Sequence, residues 1–273
     1  MIDRAHAGAQ RIKPAVRHAW HEHLRRRAID DTERAALRSC VVIAPHPDDE
    51  TFGCGATIAR KTAAGTTVDV IVVTDGRASH RSERITPDEL VEIRTGELYA
   101  AGQALGIPAG RVHQLGVADG ELIPARDRVR DEIAERLLDL APDDVLVTSG
   151  LDWHDDHRVT SEIVREIFPS LPLGTELAEF PIWWWADGPW PMRPPGASVP
   201  VRGLRLVSDP LRALGGPRPR AVSTGGFLDR KRAAIGAYAS QTTNLTGEPG
   251  WAVLDDAWID QFCGPAELFL PVT

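Results

Sequence analysis

The stretch Ala44 to Gly55, APHPDDETFGCG, sets His46 and the acids Asp48, Asp49 and Glu50 directly after the apolar run Val41-Val42-Ile43. A loop that only turned the chain would need glycine, proline or a single aspartate. Crowded acids repel one another unless something positive sits among them. A second cluster, GLDWHDDHRVT (Gly150 to Thr160), brings Asp152, His154, Asp155, Asp156 and His157 just past another apolar run, Val145–Thr148. Two histidines and a carboxylate leave a coordination position open, which is the composition of a catalytic zinc site; a structural site closes with four protein ligands. A divalent ion also accounts for acids that would otherwise repel.

The elements that must position these clusters alternate. Short β-branched runs predict strands at Val41–Ala44, Val68–Thr74, Arg111–Leu115 and Val145–Thr148. Helices are predicted between them, at Ala56–Ala64, Pro87–Leu105 and Arg126–Leu140, the first two stopped by Gly65 and Gly106. Thr86-Pro87-Asp88-Glu89 reads as a capping box with proline at the first helical position. Nearly all-apolar strands alternating with helices imply a parallel sheet covered on both faces. The expected fold is therefore α/β: a Rossmann-like, mostly parallel sheet with helices on both faces, plus an N-terminal helix and a less regular C-terminal extension. In such sheets ligands sit at the carboxyl ends of the strands where strand order reverses, and both clusters follow strand ends.

Residues 1–39 read as a helical preface, with Val16, Trp20 and Leu24 on one stripe and Arg25 to Arg27 opposite. His18, His21 and His23 do not share a face, so a solvated helix surface is expected there and no metal site. Residues 40–273 are expected to form one domain, with the motif-bearing core at 40–170 and a substrate-shaping part at 171–273. In the latter, Glu176–Trp185 is a strand candidate, 186–200 a Pro/Gly/Trp-rich loop and Phe227–Tyr238 a helix.

The net charge of −8 and the absence of a long basic run argue against nucleic acid. No stretch approaches a membrane span. The opening MIDRAHAGAQRIKPAVRHAW has no apolar signal region, so a cytoplasmic protein is expected. Cys40, Cys54 and Cys263 are odd in number and lack C-x-x-C spacing, which fits reduced thiols; Cys54 is expected to be packing.

PHPDDE together with DWHDDH resembles the PIG-L / LmbE-like family of metal-dependent de-N-acetylases, whose usual signature is A-H-P-D-D-E followed by H-x-D-H. Pro45 stands where alanine is usual and Asp155 where proline is common. Ile93–Ile107 (IRTGELYAAGQALGI) is similar to a family helix, LGVADGEL to its following loop, and Tyr238 to Gln241 (YASQ) to a late motif. The likeness covers roughly residues 40–170. It implies that His46, Asp49 and His157 bind zinc, one ion per chain, with another divalent metal such as Fe2+ as the alternative. It implies Asp48 as general base and His154 as oxyanion stabiliser oriented by Asp156, with Arg94 and Asp119 holding the substrate and Glu50 supporting the loop.

The chemistry fits these roles. Zinc lowers the pKa of its water towards about 7 and polarises an amide carbonyl. Asp48, next to ligand Asp49, can take the water's proton and return it to the departing amine. A His154 paired with Asp156 would be kept protonated opposite the metal. The expected function is removal of an acetyl group from an N-acetylated sugar or glycoside, a small-molecule substrate. The alternatives are a zinc amidase on a non-sugar N-acyl substrate and a silent metal-holding protein, which would need neither Asp48 nor His154. Trp183 to Trp190 is expected to be mainly packing, with sugar or aglycone stacking as the alternative. His80 and His113 read as ordinary loop or core histidines. Gly53 and Gly55 are expected to allow close backbone approach.

Overall fold

The computed structural model describes residues 17–188 and 218–272. Residues 17–27 form helix α1, followed by the short strand β1 (Ile29–Asp30) and helix α2 (Thr32–Ala36). The core then alternates: β2 (Cys40–Ala44), α3 (Asp49–Ala63), β3 (Val68–Thr74), α4 (Pro87–Leu105), β4 (Val112–Val117), α5 (Leu122–Leu140), β5 (Asp144–Thr148), α6 (Asp155–Ile167) and β6 (Glu176–Phe180). There follow α7 (Trp183–Asp187), β7 (Arg220–Ser223), α8 (Leu228–Ala237), α9 (Ala239–Thr242), α10 (Asp256–Ile259) and β8 (Ala266–Pro271).

The strands make one sheet in the order β1-β7-β8-β6-β5-β2-β3-β4. From β6 to β4 every pairing is parallel, while β8 runs antiparallel to both β6 and β7. Every residue of β2, β3 and β5 is buried, because helices cover both faces. Val42, Phe52, Leu98 and Leu105 pack on one side, under α3 and α4; Ile43, Ile71, Leu137 and Ile163 pack on the other, under α5 and α6. The chain walks from β2 to β4 in one direction and from β5 to β6 in the other, so strand order reverses between β2 and β5. Among the described residues no helix is long and apolar enough to cross a membrane.

The expected capping box is present: Thr86 Oγ1 accepts from the Glu89 N–H and the Glu89 carboxylate accepts from the Thr86 N–H. Gly106 ends α4 in the left-handed region, with φ of 85°. Four boundaries differ by two residues or more. Helix α3 begins at Asp49 and not at Ala56, because the acids at its start suit the positive helix N-terminus and Gly53 and Gly55 are needed inside it. A Cβ on Gly53 would lie 2.1 Å from Phe180 Cδ2, and one on Gly55 would lie 3.0 Å from Lys231 Cγ. Helix α5 begins at Leu122, before Arg126, since Pro124 falls in the first turn, where its missing N–H costs nothing. Strand β4 runs on to Val117. The run Glu176–Trp185 divides, with strand ending at Phe180 and helix starting at Trp183.

The N-terminal segment contributes more than a helix, since β1 extends the sheet edge beside β7. Trp20 and Leu24 join the core, with Trp20 edge-on to Trp184 at 5.0 Å. His21 is not solvated as expected: it is buried, its ring stacks 3.5 Å from that of Trp185, and its Nε2 lies 2.9 Å from the Trp185 carbonyl. Val16 and residues 189–200 of the expected loop lie outside the described residues.

Candidate metal centre

Both clusters emerge at the reversal point. The loop from Pro45 to Asp48 leaves β2, is held by Thr74, whose N–H and hydroxyl both bond the Pro45 carbonyl, and enters α3 at Asp49. Asp48 has φ of 124°, a conformation L-residues rarely adopt. Its backbone N–H is fixed by Glu50 Oε2 at 3.0 Å, and Glu50 is in turn bonded by the hydroxyls of Thr51 and Tyr238. Glu50 therefore supports the loop, as expected, and is buried away from the cavity.

His46 lies between two sets of carboxylates. Its Nδ1 is 3.3 Å from Asp49 Oδ2, and its Nε2 is 3.3 Å from both Asp119 Oδ1 and Asp156 Oδ2. Asp49 Oδ2 is also 3.3 Å from His157 Nε2. Ligands about 2.0–2.1 Å from one tetrahedral ion stand about 3.3 Å apart, which both contacts of Asp49 match. The ligand atoms of His46, His154 and His157 lie within 4.8 Å of one another, and so do those of His46, Asp119 and Asp156. His157 is oriented from behind: its Nδ1 is 2.8 Å from Asp152 Oδ2, and Asp152 also accepts the N–H groups of Ile182 and Trp184. A carboxylate behind a ligating imidazole fixes its tautomer and raises its basicity.

The electrostatics point to positive charge in this cluster. Burial opposes protonation of His46, yet Asp119, Asp156 and Asp49 outweigh it and raise its pKa well above the ordinary value. Burial opposes protonation of His157 too, and Asp49 and Asp152 lift it to about 9. A divalent cation on the same nitrogens meets that demand and releases the protons.

Burial pushes Asp48 up to about 7, against the pull of the nearby Arg94 guanidinium. Arg94 itself is buried, with Nη2 bonded to the Pro47 carbonyl and 3.0 Å from Asp48 Oδ2. Gly76, with φ of 67°, makes room for it, since a Cβ there would lie 2.9 Å from Arg94 Nε.

One expected pairing is absent. The Asp156 carboxylate faces His46 and the Gly120 N–H, not the His154 ring. His154 Nδ1 accepts the Asp156 backbone N–H at 3.3 Å, because His154 is the N-cap of α6. Burial, then the charges of His46 and His157, lower its pKa to about 4. Its lowered pKa and the acceptor role of Nδ1 favour a neutral His154 imidazole with its proton on Nε2, where the sequence pointed to an imidazolium.

These groups line a cavity of about 510 Å³ that also takes in Asp119, His80, Gln241 and Trp153. His80 is thus at the crevice, stacked 4.2 Å from Trp251, whereas His113 pairs with Asp69 elsewhere. The tryptophan run divides: Trp183 lines the cavity and Trp184 and Trp185 are core. Trp153 lies within the DWHDDH cluster and so was placed near the crevice by sequence, whereas Trp258 carried no such signal, since only folding brings it beside Trp183. Cys54 is fully buried packing.

Residues 41–168 match the family model described as GlcNAc-PI de-N-acetylase, PIG-L. A 1D-myo-inositol 2-acetamido-2-deoxy-alpha-D-glucopyranoside deacetylase of Acidothermus cellulolyticus is 30% identical over 242 residues, covering 75% of this chain and 80% of that protein. The enzyme of the same name from Kineococcus radiotolerans is 32% identical over 168 residues, covering 55% of this chain but only 44% of its own length. Among solved structures, a deacetylase of teicoplanin biosynthesis superposes with a TM-score of 0.63 at 17% identity, covering 86% of this chain and 98% of that one. At that identity the likeness concerns the fold alone.

Proposed function

The chain belongs to the PIG-L family of GlcNAc-PI de-N-acetylases, and from that premise we propose that it is a zinc-dependent hydrolase that removes the acetyl group from an N-acetylglucosamine-type sugar or glycoside. The observation that carries this reading is the position of Asp49 Oδ2, 3.3 Å from ring nitrogens of both His46 and His157 and directly beside Asp48 in the chain. The donor set fits the metal: two imidazoles and one carboxylate leave an open position, and Asp152 backs His157. His154 is the weaker ligand candidate, because its Nδ1 already accepts a backbone N–H.

His46, Asp49 and His157 would hold the ion, which supplies Lewis acidity for the amide carbonyl and a water of lowered pKa. Asp48 lines the same cavity, and burial raises its pKa above the ordinary carboxylate value, which suits a group that takes a proton and gives it back. It accepts the proton of the attacking water as the oxygen–carbon bond forms, then delivers it to the nitrogen as the carbon–nitrogen bond breaks. Acetate and a free amine result. His154 donates from Nε2 to the oxygen that gains negative charge, with its ring fixed by the Asp156 N–H. Arg94 holds Asp48 in place and ionised, and Asp119 lies at the cavity wall within reach of substrate hydroxyls.

The test is amine release from methyl N-acetylglucosaminide by wild type, by chelated and zinc-restored protein, and by Asp48→Asn. Turnover should vanish on chelation and return with zinc. It should fall by about 10²–10⁴ in Asp48→Asn. Turnover unaffected by chelation would refute the metal-dependent reading.

A further inference from the structure

The cavity has two halves of different chemistry. One holds His46, Asp48, Asp49 and their partners. The other is built by Trp153, Trp183 and Trp258, three rings from distant points of the chain. The Trp153 and Trp183 centroids are 5.0 Å apart, those of Trp183 and Trp258 5.7 Å. The wall adjoins the catalytic groups through Trp153, whose ring is 5.7 Å from that of His154; at its other end Trp258 stands edge-on to the core residue Phe52 at 4.9 Å. All three indoles remain partly exposed, whereas Trp184 and Trp185 beside them are buried. Trp183 and Trp258 also pack against the core, yet all three indoles line the cavity, and an aromatic wall left open in a concave site reads as a binding surface.

The structure assigns this wall to the group attached to the sugar: we propose that the substrate carries an apolar, ring-bearing aglycone that packs against Trp153, Trp183 and Trp258. This rests on the de-N-acetylase reading above. The cavity, at about 510 Å³, is in the range of about 300–1,000 Å³ that encloses a drug-sized ligand, which leaves room beyond one sugar ring. A second sugar is the poorer occupant. Its hydroxyls would need partners, and Ile182, Val253 and Leu254, which line the cavity with the three indoles, offer none in their side chains; the polar groups Asp119 and Gln241 line the same cavity but contact His46 and His80. An aryl group needs none and gains both buried area and ring contacts.

The experiment compares methyl and phenyl glycosides of N-acetylglucosamine, of one anomeric configuration, with wild type, Trp183→Ala and Trp258→Ala. Binding is followed in parallel by titration calorimetry. Wild type should show a phenyl-to-methyl ratio of kcat/KM of about ten or more, the size of one or two aromatic contacts. The ratio should fall towards one in each variant, and two separate variants guard against one that fails to fold. Turnover of the methyl glycoside with a wild-type ratio near one would overturn the subsite and leave the deacetylase reading intact. Preferential binding of the phenyl glycoside without turnover of either would uphold the wall and overturn the reaction. Binding of neither, or preference for N,N'-diacetylchitobiose over the phenyl glycoside, would overturn the subsite.

Discussion

Arg94 Nη2 lies 3.0 Å from Asp48 Oδ2, a buried guanidinium bonded to the carboxylate that faces the cavity. Burial pushes the Asp48 pKa up to about 7 and Arg94 opposes it, so the arginine sets how far into acid Asp48, the proposed base, stays ionised. A bound divalent cation acts in the same direction as Arg94.

In Arg94→Gln the acid limb of kcat/KM should therefore move to higher pH, by about one unit or more. Activity should be lost most at acid pH and partly recovered at alkaline pH. An unmoved limb with a raised KM would mean that Arg94 serves the substrate and not the base.

Asp152 accepts from His157 and from two backbone N–H groups, so it fixes the ring of His157, the proposed ligand. Asp152→Asn should keep the fold and weaken metal affinity by about 10–100-fold, read by competition with a chromogenic chelator. Unchanged affinity would contradict the assignment of His157 as a ligand oriented by this carboxylate.

The part of the site carried on contiguous chain was legible in the sequence, because each cluster follows an apolar strand and strand ends at a reversal point share a crevice. The central strands β2, β3 and β5 were legible too, as hydrophobic runs of the right length report buried strands, while β4 and β6, which carry polar residues, had their ends misplaced. What was hidden depends on distant partners. Nothing local shows that the Asp156 carboxylate turns to His46 while its N–H caps onto His154. The meeting of Trp153, Trp183 and Trp258 is equally silent in sequence. So is the buried pair of Lys231 and Glu267 at 2.7 Å, which bonds backbone groups of α3: Lys231 takes the Phe52 carbonyl and Glu267 the N–H groups of Ala56 and Thr57.

Gly53→Ala should destabilise the chain severely, by about 1–3 kcal/mol or more, because the added Cβ meets the Phe180 ring at 2.1 Å in a helix that carries Asp49 at its start. The denaturant midpoint measures it. A wild-type midpoint would show that α3 and β6 can separate at no cost.

Burial lowers the pKa of His21 to about 4. The unfolded chain takes up this proton near pH 6.5 and the folded chain only near 4, so the unfolded state binds more protons in between. Stability from His21 is complete above about pH 6.5 and falls as pH drops towards 4, by at most about 3 kcal/mol. His21→Phe should flatten this part of the curve of melting temperature against pH. An identical slope in wild type and variant would place the proton uptake elsewhere.

The most direct measurement is metal content per chain by elemental analysis, on zinc-supplied wild type and on His157→Ala. Wild type should carry close to one zinc per chain and the variant little or none. No metal in either protein, or equal metal in both, would contradict the assignment of His46, Asp49 and His157 as the metal centre.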